Sequence, residues 1–149
     1  MSIGRKKKLR VAITYIAYPV AMGRYFHEAL LANPHIEVWS TGPFTGQWIP
    51  WGGGMNLPSE YVLKPSNPTS LTNPPMISYP MLERVKPWEP DLWIEINAGM
   101  TALGKPTSAP LAMILSDPHV LSDFYRDQRP RADFVFNMQS PYTQAGDIW

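Results

Sequence analysis

The sequence predicts an α/β domain built on an open, mostly parallel, doubly wound sheet with helices on both faces. Three observations carry that expectation. Near-continuous apolar runs of strand length recur along the chain, as strands buried on both faces require. The first run leads into a helical pattern and then a second strand, an order that favours a right-handed parallel crossover. The 149 residues suffice for one hydrophobic core, and there is no cysteine with which to staple a smaller one.

Leu9 to Ala17 (LRVAITYIA) is β-branched and apolar almost throughout and reads as the first strand. From Ala21 to Ala32, Met22, Tyr25, Phe26, Ala29 and Leu30 recur at helical spacing. Arg24, His27 and Glu28 fall outside that stripe, and Asn33-Pro34 supplies the stop. His35 to Ser40 alternates as a strand and ends at Thr41-Gly42-Pro43. Phe44 to Pro75 is a long Gly, Pro, Ser, Thr and Asn-rich excursion with Glu60 to Leu63 as its one short strand candidate. Its Trp48, Trp51 and Gly52-Gly53-Gly54 suit either substrate contact or capping of the core. Ser78 to Val85 reads as a short helix ended by Lys86-Pro87, and Asp91 to Asn97 as the next strand. Pro110 to Leu115 and Asp133 to Met138 complete five strands, with Val120 to Arg129 a short helix between the last two. The link from Gly99 to Ala109 is near the lower limit for a parallel crossover, so its helix is expected to be a single turn or missing. The whole, residues 1–149, is expected to be a single Rossmann-like domain.

The net charge of +1, with 13 basic and 12 acidic residues, offers no field for nucleic acid or an anionic membrane. The run Arg5-Lys6-Lys7-Lys8, closed by Arg10, reads as a solvated lead-in to the first strand. No apolar stretch approaches the length of a membrane span, and no signal peptide is evident, so a soluble, cytoplasmic protein is expected. With no cysteine, and with His27 on a helix and His35 opening a strand, neither a metal centre nor another cofactor is expected.

In an open parallel sheet, ligands bind at the carboxyl ends of the strands. Ser116-Asp117-Pro118-His119, after the strand Pro110 to Leu115, is the most concentrated polar group at those ends. A carboxyl and an imidazole held either side of a proline suit the positioning and deprotonation of a substrate hydroxyl. The same residues also suit a structural turn, with Asp117 capping it and His119 bonded to backbone. Gly99-Met-Thr-Ala-Leu-Gly104-Lys105 matches the first seven positions of a phosphate-binding P-loop. Its eighth position is Pro106 where Ser or Thr must hold magnesium, and a strand rather than a helix follows. Ala17-Tyr18-Pro19 stands where a dinucleotide-binding glycine run would be. Asp91 and Glu95 suggest no catalytic pairing.

Asp91-Leu-Trp-Ile-Glu-Ile-Asn-Ala-Gly99, Gly104-Lys105-Pro106, Ser116-Asp117-Pro118-His119 and Arg131-Ala-Asp-Phe-Val-Phe-Asn-Met-Gln139 occur in an order that resembles a known group. It is the amino-terminal domain of spore-maturation CgeB-like and related family 4 glycosyltransferases of the two-domain GT-B type. The similarity covers about residues 91 to 145; upstream only the element order agrees. The resemblance implies that Asp117 and His119 face an acceptor, with Ser116 beside them and Ala17, Tyr18, Asn97 and Gly99 on the cleft floor. It further implies a sugar or glycan acceptor, and a nucleotide-sugar donor held by a carboxyl-terminal domain that these residues do not include. The isolated chain is then expected to be inactive, with Gly146-Asp147-Ile148-Trp149 entering a further element. A non-catalytic Rossmann-like binding or assembly module, or a small phosphate- or nucleotide-binding regulatory domain, are the alternatives.

Overall fold

A computed structural model describes residues 7–15, 22–42, 77–96, 101–116, 123, 125–139 and 143–148. The elements are β1 (Leu9–Thr14), α1 (Met22–Ala32), β2 (Ile36–Thr41), β3 (Ile77–Ser78), α2 (Tyr79–Val85), β4 (Leu92–Ile96), β5 (Ala102–Leu103), β6 (Leu111–Leu115) and β7 (Phe134–Asn137). Residues 125–128 are helical and run into a 3-10 turn at Arg129–Arg131. Five strands form one all-parallel sheet in the order β2-β1-β4-β6-β7, while β3 and β5 make a separate parallel pair. The chain is therefore α/β, and each of the five principal strands lies within a residue or two of its expected span in the described residues. The candidate strand Glu60 to Leu63 lies outside them.

Register fixes which side chains share a face, because alternate residues of a strand point to opposite sides. Val11, Ile13 and Tyr15 share one face with Leu92, Ile94 and Ile96, with Ala112 and Ile114, and with Phe134 and Phe136. Phe26 and Leu30 of α1 pack on this face around Ile13, Tyr15, Ile96 and Ile114. Ala12, Trp93, Leu111, Met113 and Leu115 lie on the other face, where Tyr79 and Leu82 of α2, Ala102 and Tyr125 cover them. An aromatic cluster anchors that side: Trp93 meets Trp39 and Tyr79 edge-on, with centroids 5.9 and 5.3 Å apart.

Local chemistry sets where the elements begin and end. α1 closes at Asn33, whose side-chain oxygen accepts the His35 backbone N–H at 3.0 Å, and Pro34 cannot continue the helix. α2 starts with Pro80 in its first turn, where the missing N–H costs nothing. It ends at Lys86, extended at φ −60°, ψ 137°, as a residue before proline prefers. Two strands share a further device at the amino-terminal edge of the sheet. Asp91, just before β4, accepts the backbone N–H of Arg10 at 2.8 Å, and Asp133, just before β7, accepts that of Leu111 at 2.9 Å. Each aspartate thereby ties the start of its strand to the strand next to it. Both carboxyls sit below the usual range, Asp91 through the Arg10 N–H and Asp133 through its bond from Lys105.

The helix stripe needs correction. The spacing of Met22, Tyr25, Phe26, Ala29 and Leu30 puts His27 on the polar side, yet α1 buries Gly23 and His27, leans on Phe26 and Leu30, and leaves Tyr25 exposed. The packed row is 23, 26, 27 and 30, rotated by about one position. Gly23 allows the close approach, and the Tyr15 hydroxyl gives His27 a partner. Among the described residues from 101 to 109 there is no helix; the short strand β5 takes its place.

Candidate functional site

All five strands run the same way, so their carboxyl ends share one edge. Strand order reverses there, since β2 follows β1 on one side and β4, β6 and β7 follow on the other. Of the residues expected to form the site, Ser116 is described: it follows β6 at this edge and is buried, 5% exposed. Asp117, His119, Ala17, Tyr18, Asn97 and Gly99 lie outside the described residues. The strands that lead into them, β1, β4 and β6, are adjacent.

Tyr15, directly after β1, organises this edge. Its hydroxyl lies 3.1 Å from His27 Nδ1 and donates to that nitrogen when the neutral ring carries its proton on Nε2. Burial pushes the His27 pKa below the ordinary imidazole value, although Glu28 acts the other way. Two glycines crowd the same tyrosine. A Cβ on Gly23 would stand 2.4 Å from its Cβ and Cγ, and one on Gly42 (φ +144°) would stand 1.9 Å from its carbonyl oxygen. The end of β1 is thus wedged between α1 and the exit of β2.

On the opposite face a polar row crosses the sheet one step from its carboxyl edge. Thr41, Thr14 and Glu95 are register partners on β2, β1 and β4. Glu95 is fully buried; its Oε2 accepts from the Tyr79 hydroxyl at 3.1 Å, and its Oε1 accepts from Thr101 Oγ1 at 3.1 Å and an Arg131 amino group at 3.3 Å. Arg131 also donates to the carbonyls of Ala102 and Gly104. Burial first, and then the neighbouring Glu95 carboxyl, hold the Tyr79 hydroxyl well above its ordinary pKa, so it stays a donor. Thr14 and Thr41 differ: both are buried, and neither Oγ1 has a hydrogen-bond partner.

Sequence reasoning gave Glu95 no role. The signal was present, since a lone acid inside the apolar strand LWIEI has to be paired to be buried there. Lys105, in the P-loop-like run, binds Asp133 Oδ1 at 2.7 Å at the amino-terminal edge, opposite the end where such loops hold phosphate. Asp91, Lys105, Arg131 and Asp133, all within the stretches that carry the glycosyltransferase resemblance, therefore work as structural ties.

Among the described residues, the face that carries α1 is left open over β4, β6 and β7. There a channel of about 440 Å³ is lined by Phe26, Ile94, Ile114, Phe136, Met138 and Ile148 among others, with Asn137 as its polar member. Among the described residues no group of three or more His, Asp or Glu side chains could hold a metal ion, and no helix is long and apolar enough to cross a membrane. Comparison with protein families, with curated proteins and with solved structures finds no match for this chain.

Proposed function

We propose that the chain is a doubly wound, Rossmann-like domain that binds its ligand at the carboxyl edge and serves as the acceptor side of sugar transfer from a nucleotide-sugar. The observation that carries this is the reversal of strand order between β1 and β4, because helices that cross on opposite faces leave a crevice at such a point. Ser116, the described member of the Ser116-Asp117-Pro118-His119 turn, stands at that edge directly after β6, the strand next to β4. Support for sugar transfer comes from the resemblance, in which Asp117 and His119 would orient an acceptor hydroxyl and the donor would sit on a second domain. A screen of nucleotide-sugars and glycan acceptors against the whole protein tests the reading. Asp117→Asn and His119→Ala should weaken acceptor binding or turnover at least tenfold while leaving the melting temperature within a degree or so. Binding and turnover unchanged in both variants, or no binding of any sugar, would sink it.

A non-catalytic binding or assembly module is favoured by one observation, the apolar channel over β4, β6 and β7. A surface of that composition suits hydrocarbon better than sugar. Failure of every sugar to bind, together with an intact fold, would leave this second reading standing.

A further inference from the structure

The Thr14 and Thr41 hydroxyls have no place in the packing just described. Each is the last residue of its strand, the two are register partners on the same face, and parallel strands stand about 4.8 Å apart. They do not bond to each other or to any other group, although Thr14 is fully buried and Thr41 is 2% exposed. A buried hydroxyl without a partner works against folding, and valine would fill the same volume with no such penalty. Two of them side by side, at the edge where an open parallel sheet takes its ligand, are a stability cost that a structural role does not explain.

We propose that Thr14 and Thr41 form a recognition pair for neighbouring hydroxyl groups of an uncharged polyhydroxylated ligand, such as the vicinal diol of a sugar. A threonine hydroxyl both donates and accepts, and so does each hydroxyl of a diol, so two such pairs satisfy one another completely. Charge argues against an anion in that position. Glu95 is the next residue along the row, and Arg131, the cation that reaches the row among the described residues, pairs its charge with Glu95 and donates to two carbonyls, its Nε alone lacking a partner. A phosphate there would be buried beside a carboxyl that already balances Arg131, the one cation at the row among the described residues.

The pair shares its edge with the transfer reading but depends on neither Asp117 nor His119, so the two fail separately. The test uses Thr14→Val, Thr41→Val and, as the hydroxyl-retaining control, Thr14→Ser. Melting temperature is measured first. Both valine variants should melt higher than wild type, by about 2–4 °C each. Ligand-detected NMR with free glucose, galactose, mannose and ribose, and with inorganic phosphate as the anionic arm, is measured second. At least one aldose should bind wild type and Thr14→Ser, and bind about tenfold more weakly to each valine variant. Valine variants that melt lower than wild type would show the hydroxyls to be structural and overturn the pair. So would aldose binding that valine leaves unchanged, the absence of aldose binding to wild type, or a preference for phosphate. Aldose binding that depends on the threonines while Asp117 and His119 variants behave as wild type would uphold the pair and remove the transfer reading alone.

Discussion

Replacing Gly23 by alanine sets two effects of opposite sign against each other. Gly23 lies within α1, where alanine is intrinsically the better residue by about 1 kcal/mol, so propensity alone predicts a gain. The added Cβ, however, would stand 2.4 Å from Tyr15 Cβ and Cγ and 2.6 Å from Cδ2, where ordinary contact begins at 3.4 Å. Tyr15 has little room to withdraw. It is 3% exposed, its hydroxyl lies at His27, and Gly42 packs against its carbonyl from the β2 side. Overpacking of this kind costs about 1–3 kcal/mol, and an overlap of about 1 Å on Cβ and two ring atoms of a fixed side chain belongs at the upper end. The clash therefore wins, with a net loss of about 2 kcal/mol. That corresponds to a fall in melting temperature of roughly 4–8 °C and a lower urea midpoint at unchanged slope. Gly104→Ala is the control: at φ +79° with nothing within 4 Å, it should lose only about 1 kcal/mol of backbone strain. Urea unfolding followed by circular dichroism reads both. A Gly23→Ala protein as stable as wild type or more so would refute the wedging of Tyr15 beneath α1.

Three further outcomes follow from the buried polar groups. Glu95→Gln leaves Arg131 without its charged partner and should cost about 3 kcal/mol in urea unfolding, whereas Thr101→Ala, which removes one bond of the same network, should cost about 1 kcal/mol. His27 should titrate below its unfolded value near 6.5, so the stability it contributes is complete above that pH and falls as pH drops through it, because the unfolded chain takes up the proton first. NMR titration checks this, and a folded midpoint above 6.5 would contradict the burial argument. Asp147 pairs with Arg129, and its carboxyl is held low: burial opposes ionisation, but the bonds from Arg129 and the Gln144 N–H outweigh it. Asp147→Asn should lose about 3 kcal/mol at neutral pH, and the difference should shrink as pH falls through the lowered carboxyl pKa and the wild-type group itself protonates.

The central strands were legible because burial on both faces makes them apolar almost throughout, Thr14 and Glu95 being the buried polar exceptions. Val11 to Thr14 and Leu111 to Leu115 are buried without a break, and Pro34 and Pro87 mark helix ends by sterics that need no tertiary context. The packed face of α1 was not legible. His27 is polar by type, and what buries it is a tyrosine twelve residues away meeting a glycine that spacing rules ignore. The pair β3 and β5 escaped for another reason, since two-residue strands carry no periodicity. At the site, residue type pointed to Ser116 and the turn after it. Thr14 and Thr41 passed unnoticed as ordinary β-formers, because a missing hydrogen bond is a property of position and not of sequence.

The free side of β7 bears on how the protein behaves at high concentration. Ile148 forms a single parallel bridge to Phe136, its N–H donating to the Val135 carbonyl at 2.7 Å and its carbonyl accepting the Asn137 N–H at 2.8 Å. Next to it the Arg129–Asp147 pair holds residues 143–148 against the sheet, while Phe134 and Phe136 remain partly exposed. Once released from that segment, an edge of this kind, rich in phenylalanine, is a template for strand addition between molecules. Loosening the 143–148 segment would then show itself first as turbidity that rises with protein concentration, well before the core melts.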